Sequence, residues 1–159
     1  MPIKPSSDAF PPSFHAGGMG IISSASEYLR IGQMLLNGGE LDGAVILKPE
    51  TVNEMLTNQL APELLPYHLG SWAMWGFGLG VQLTTSREVS LSRPSDEVSW
   101  GGLGSTSWFI SHEKDTVLII MSAHIPINGG MTNAVKPAFY GAIEEEESEK
   151  IRRRLRRRG

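Results

Sequence analysis

Two short stretches of this 159-residue chain have residue types and spacing that could do chemistry. The first is Trp100-Gly101-Gly102-Leu103. Two adjacent glycines let a strand backbone approach a ligand with no Cβ in the way. The second is Ser111-His112-Glu113-Lys114, which sets a lysine three residues after a serine. A lysine one helical turn on can take the proton of a serine nucleophile. That pair needs the start of a buried helix, and residues 111–114 read as a turn between two strands, so we treat it as a decoy. The four histidines, His15, His68, His112 and His124, are scattered without ligand spacing, and no cysteine is present. No metal site, cofactor, disulfide or thiol nucleophile is therefore expected. Gly-x-Ser-x-Gly does not occur either.

The frame that must hold these residues reads as one body with a charged tail. Apolar residues are 40% and charged residues 19% of the chain, which suits a packed domain. Residues 144–159 hold five glutamates and seven Lys/Arg, so the tail carries +2 and the remaining 143 residues carry −5 of the net −3. The body offers no basic surface for nucleic acid, and we expect no nucleic-acid partner. Glu146 with Lys150, and Glu149 with Arg153, have helical i,i+4 spacing in the favourable order. The tail is thus expected to be a solvated helical extension rather than a membrane anchor. No apolar run approaches the roughly 18 residues of a membrane span, and the first residues lack the apolar core of a signal peptide. A cytoplasmic setting is the default expectation, with any targeting segment of a longer parent left open.

Along the chain, residues 1–16 are a proline-rich lead-in and Gly17–Gly20 a turn. Ser24 and Glu27 form a capping box for a helix whose apolar stripe is Ala25, Tyr28, Leu29, Ile31, Leu35 and Leu36. Gly38-Gly39 ends it. Leu41-Asp42-Gly43 is a turn, and Pro49 opens a second helix that buries Val52, Met55 and Leu56. Residues 59–75 read as irregular. Phe77, Leu79, Val81 and Leu83 alternate as a half-buried strand. Residues 84–97 read as a polar connection. Ser105–Ile110 and Thr116–Ala123 read as two more strands around the turn 112–115, the second apolar enough to be central. A last helix is expected from about Asn133, with Pro137 near its start. The fold class that follows is α+β, an antiparallel sheet with helices packed on its faces. Three strands leave that sheet incomplete, so the body is expected to be poorly stable alone and to self-associate.

Three stretches in order resemble the β-lactamase-related serine hydrolases, a group that includes class C β-lactamases, D-alanyl-D-alanine peptidases and esterases of the same fold. They are Phe14-His15-Ala16-Gly17-Gly18-Met19-Gly20 running into Ile21–Leu29 and on to Val52; Gly76-Phe77-Gly78-Leu79-Gly80-Val81; and Trp100-Gly101-Gly102-Leu103-Gly104-Ser105-Thr106-Ser107-Trp108-Phe109. The resemblance runs from about residue 14 to 143. It implies a C-terminal portion, residues 1–143, of a β-lactamase/transpeptidase-like fold, followed by the tail 144–159. It also implies that Trp100, Gly101, Gly102 and Leu103 form the substrate-binding edge. Trp100 would stand where many members have lysine, and the Leu103 N–H would be one of two oxyanion-hole donors. Trp72, Trp75 and Phe77 would either line an acyl pocket or serve packing.

The family's Ser-x-x-Lys and Tyr-x-Asn lie upstream of the residue 14 region, and no tyrosine here has asparagine two residues on. The expectation is therefore a fragment of a serine hydrolase, inactive alone. Its full-length parent would act through an acyl-enzyme on a small-molecule ester, amide or β-lactam. The replacement of lysine by Trp100 favours an esterase-like member. The rival expectation is a non-catalytic binding or interaction protein derived from this fold.

Overall fold

The computed structural model describes residues 23–69, 72–84 and 94–156. The lead-in, the glycine turn 17–20 and His15 lie outside the described residues, as does most of the connection expected at 84–97.

The first helix, α1 (Ala25–Leu36), starts as its sequence demands. The Ser24 side chain accepts from the Glu27 N–H, and the Glu27 carboxylate accepts from the Ser24 N–H at 2.9 Å. These contacts satisfy two amides that a helix start leaves without partners. At the other end Gly38 and Gly39 have positive φ. Their N–H groups donate to Leu35 and Met34 carbonyls, closing the turn. A hairpin of β1 (Glu40–Leu41) and β2 (Ala44–Val45) follows, turning on Asp42-Gly43, both at positive φ. The short helix α2 (Pro49–Met55) begins on its proline and buries Val52.

Residues 59–75 are more ordered than their composition suggests. They hold a 3₁₀ turn at Pro62–Leu64 and a hairpin of β3 (Tyr67–Leu69) and β4 (Trp72–Met74). The alternation from Phe77 to Leu83 is not one strand. Gly78 donates to the Val81 carbonyl, Leu79 donates to Met55, and Gly80 has positive φ, so the chain folds back on itself. Only β5 (Gln82–Leu83) joins the main sheet. Leu79 is left exposed while Gln82, the residue expected to face water, is buried.

The main sheet has four strands in the order β5, β6 (Val98–Gly101), β7 (Ser107–Ser111), β8 (Thr116–Ile120), all antiparallel. The molecule is α+β, as expected, and its main sheet has one strand more than the sequence suggested. A second correction concerns β8, which lies at the edge of the sheet and not at its centre. Its apolar run reflects cover by helix rather than by strands on both sides.

The register assigns the two faces. Trp100 pairs with Trp108 and Trp108 with Ile119, while Val98 pairs with Ile110 and Ile110 with Val117. This face meets α1 and α2 in a core of Met34, Leu35, Val52, Val81, Val98 and Ile110. Here α1 turns Tyr28, Gly32 and Leu35 to the sheet. Leu29 and Ile31, placed in the stripe by sequence, are 42% and 41% exposed. Gly32 explains the rotation: a Cβ there would lie 2.5 Å from Val117 Cγ1, so helix and strand meet backbone-close. Burial against the sheet also raises the Tyr28 phenol above its usual pKa.

The opposite face carries Gln82, Ser99, Gly101, Ser107 and Phe109. The long helix α3 (Gly130–Arg156) packs there. Thr132 hydrogen-bonds Ser107 at 3.0 Å, and the Lys136 ammonium sits 4.2 Å over the Phe109 ring. The helix starts three residues before Asn133, where Asn128 Oδ1 accepts from the Gly130 N–H at 2.7 Å. It continues through the charged tail to Arg156, where the i,i+4 pairs 146–150 and 149–153 form at 2.7 and 2.8 Å.

Candidate functional site

Strand β6 ends on Trp100 and Gly101, and the chain turns through residues 102–106 into β7. The Gly102 N–H donates to the Thr106 carbonyl at 2.9 Å, and Ser105 N–H donates back to Gly102 at 3.0 Å. Ser105 holds the outer side of this turn at positive φ. Its hydroxyl donates to the His124 carbonyl at 2.8 Å and accepts from the Asn128 N–H at 2.9 Å. The His124 N–H in turn donates to Gly104. The turn is therefore tied on both sides, and Leu103 projects from it at 68% exposure. The Leu103 N–H makes no hydrogen bond to a described residue.

Trp100, Gly101, Gly102 and Leu103 are brought together on the rim of a cavity of about 810 Å³ between the sheet and α3. By strand alternation the Trp100 ring belongs to the other face, where it meets Phe77 edge-on at 5.1 Å. Phe77 is thus a packing partner of Trp100. The side chain of Trp72 lies outside the described residues.

The glycines are needed for space at the turn itself. A Cβ on Gly101 would sit 3.0 Å from the Thr106 carbonyl oxygen, and one on Gly102 would run into Thr106 Oγ1. A side chain at residue 102 therefore strikes Thr106 before it strikes any ligand.

Three polar residues of this region escaped the sequence reading. Gln82 lines the cavity and is 1% exposed, with neither amide atom hydrogen-bonded to a described residue. Glu97 is fully buried at the start of β6 and accepts from Lys136 Nζ at 2.7 Å and from the Tyr140 hydroxyl at 2.8 Å. Lys136 also lines the cavity. No local pattern announces a partnership 39 residues apart.

The serine-lysine string is structural. Ser111 is buried at the end of β7, where its hydroxyl donates to Asp96 at 2.7 Å and accepts from the Lys114 N–H at 3.1 Å. The Lys114 ammonium points to Glu147, 3.7 Å away. His112 and Glu113 are exposed in the turn, and Asp96 accepts from the Glu113 N–H. His68 and His124 are exposed, and no cluster of three potential metal ligands exists among the described residues. No described helix is long and apolar enough to cross a membrane.

No family model matches the chain. Two curated relatives from Mycobacterium tuberculosis do: Protein Rv1367c of strain H37Rv and Uncharacterized protein MT1414 of strain CDC 1551. Each is 34% identical over 123 residues, covering 73% of this chain and 31% of the relative. The chain thus spans about a third of the length of the curated relatives it matches. A crystal structure from Bacteroides dorei DSM 17855, described as a "putative beta-lactamase", aligns at TM-score 0.39 and 16% identity, covering 64% of this chain and 33% of that one. Similarity at that level carries no argument about fold or activity.

Proposed function

We propose that this chain is the C-terminal portion of a β-lactamase-related serine hydrolase. In this reading Trp100-Gly101-Gly102-Leu103 forms one wall of an acyl-transfer site. The observation that carries it is the tied turn 102–106. It projects Leu103 into solvent with an amide that no described residue uses, at the end of a strand opened by two glycines. A preorganised N–H of this kind stabilises the oxyanion that develops when a serine attacks an ester, amide or β-lactam carbonyl. The serine, and the lysine that takes its proton, would come from a preceding part of the protein. With Trp100 in place of a cation, and its ring turned toward Phe77, no charge at this position draws a substrate carboxylate. That favours neutral esters.

The test compares two proteins. This chain alone should hydrolyse neither p-nitrophenyl acetate, p-nitrophenyl butyrate nor nitrocefin above a boiled control, and neither should its Ser111→Ala variant. The protein read from the full genomic frame, provided that frame supplies a Ser-x-x-Lys, should form an acyl-enzyme detectable by intact mass. Turnover by the chain alone that disappears in Ser111→Ala overturns the decoy assignment. A full frame without Ser-x-x-Lys, or one whose product never acylates, leaves the non-catalytic binding protein as the reading.

A further inference from the structure

The long helix α3 outlasts the sheet it packs on. Tyr140 is its last buried residue, and Glu147, 3.7 Å from Lys114, makes its last described ion pair with the body. From residue 145 to residue 151 every side chain is exposed, yet the helix runs on to Arg156. The charges of this projecting part are sorted into two blocks. Residues 144–149 hold five glutamates, and residues 150–156 hold five Lys/Arg. Glu146 bonds Lys150 and Glu149 bonds Arg153 along the helix, which keeps the rod helical. Glu144 and Glu145 form no ion pair with a described residue. A groove follows the acidic block, lined by Ala142, Glu144, Glu145 and Ser148 among others. Gly141 at its head leaves open space.

We propose that this part of α3 is a self-complementary docking surface whose occupant is the same helix of a second copy, laid antiparallel. The order of the blocks demands the reversal. Two copies side by side in the same direction would set glutamate against glutamate and arginine against arginine, and like charges in register oppose association. Reversed about an axis near Glu149-Lys150, the acidic block of each copy lies along the basic block of the other. A single exposed ion pair contributes little, but here whole blocks of opposite charge face each other within the Debye length of about 8 Å. The small residues Gly141, Ala142 and Ser148 let the second helix approach the groove closely. One rotation satisfies both blocks in both copies, so the pair is closed and recruits no third copy. Other partners use half of the surface. A phosphate surface would take the arginines and meet the glutamates within about two helical turns. A basic protein would take the glutamates and meet the arginines. This inference does not rest on the acyl-transfer proposal, because it needs no nucleophile and no cavity.

The experiment uses the whole chain in a Leu118→Lys background, which charges the exposed edge of β8 so that contacts along it do not contribute. Sedimentation equilibrium should show monomer and dimer at about 0.05 M sodium chloride, with a dissociation constant roughly tenfold or more higher at about 0.5 M. Two variants then divide the charge: Glu144→Lys/Glu145→Lys breaks the acidic block, and Arg152→Glu/Arg154→Glu breaks the basic one. Each alone should stay monomeric, because its own reversed pair opposes like charges. Mixed, they should form a one-to-one dimer, since the new lysines of one copy then face the new glutamates of the other. Circular dichroism checks that both keep their helix, and the salt series on the unaltered tail decides the matter even where a variant unfolds. Absence of a dimer at low salt overturns the inference, as does a dimer indifferent to salt. A folded variant that dimerises alone as tightly as the parent overturns it, and so does a folded mixture that stays monomeric. Flotation at about 0.15 M salt tests the rival occupant. The chain should not float with vesicles of phosphatidylcholine and phosphatidylglycerol in equal parts. Capture by these vesicles but not by pure phosphatidylcholine assigns the basic block to a phosphate surface and overturns the pairing.

Discussion

Glu97 has no exposed surface, and its two carboxylate oxygens meet an ammonium and a phenol from α3, at Lys136 and Tyr140. Lys136 also lies over the Phe109 ring. This cluster clamps the long helix to the sheet beside the cavity. Burying two charges is costly, so the pair adds little net stability over a well-packed apolar pair. Breaking it is another matter. Lys136→Met takes the ammonium away from a buried carboxylate and should cost about 3–5 kcal/mol. The double variant Glu97→Gln/Lys136→Met should recover a large part of that loss, because no charge is left unpaired. Urea titrations of the single and double variants check this. Additive losses would mean that the two residues act independently. Such a partnership is invisible in sequence. Lys136 sits among Asn133, Ala134 and Val135 in what reads as an ordinary polar helix start, and Glu97 in a polar connection. Gln82 was missed for a related reason: alternation with Val81 and Leu83 marks it as outward-facing, whereas the tight fold-back at Gly78–Val81 changes which side is in. By contrast the turn at Gly101-Gly102 was legible as a turn, because adjacent glycines mark one wherever they fall. The space they leave is filled by Thr106, so Gly102→Val would report first on the turn and not on ligand access.

The elements were most legible where a local rule decides them. The capping box of α1, the Asp42-Gly43 hairpin, the Pro49 helix start and the 112–115 turn all follow from residues within a few positions of each other. The Glu27 carboxyl is held below its ordinary value of 4.5 by the Ser24 N–H, then by the Ser24 and Ser23 hydroxyls. A carboxyl lowered by folding contributes stability that is present above its unfolded value and disappears as pH falls through its folded value. Ser24→Ala should cost about 1 kcal/mol at neutral pH. The gap between the unaltered chain and Glu27→Gln should narrow as pH drops below 4.5. Thermal melts at pH 7 and pH 3 check the sign, and a gap that widens at low pH refutes it. The stripe of α1 was less legible because Gly32 carries no apolar side chain, yet it is the contact point. In an exposed helix interior, Gly→Ala gains about 1 kcal/mol. Here the new methyl meets Val117, and overpacking costs about 1–3 kcal/mol. Gly32→Ala should therefore destabilise, and adding Val117→Ala should reverse part of the loss. If Gly32→Ala stabilises the protein, α1 does not approach β8 as closely as this packing requires.

At the scale of the molecule, the described residues leave the sheet open at its most apolar strand. β7 pairs with one side of β8, and among the described residues no strand pairs with the other. Natural edge strands are blunted by lysine, proline or a bulge. Thr116-Val117-Leu118-Ile119-Ile120 has no charge, no proline and no glycine, and Met121 beyond it is also exposed. Each free N–H and C=O along that edge can accept a strand from another chain. The α1 face of β8 is covered and Ile120 is buried on the other face, so what remains for a partner is the backbone edge. In the chain alone, the nearest available strand is the same edge of a second copy. Sedimentation velocity should therefore show a weight-average coefficient that rises with concentration. Leu118→Lys sets a charge on the edge strand without touching the α1 core, and should shift that curve toward monomer. A concentration-independent monomer with one cooperative unfolding transition would show that the open edge is protected by something its residue types do not reveal.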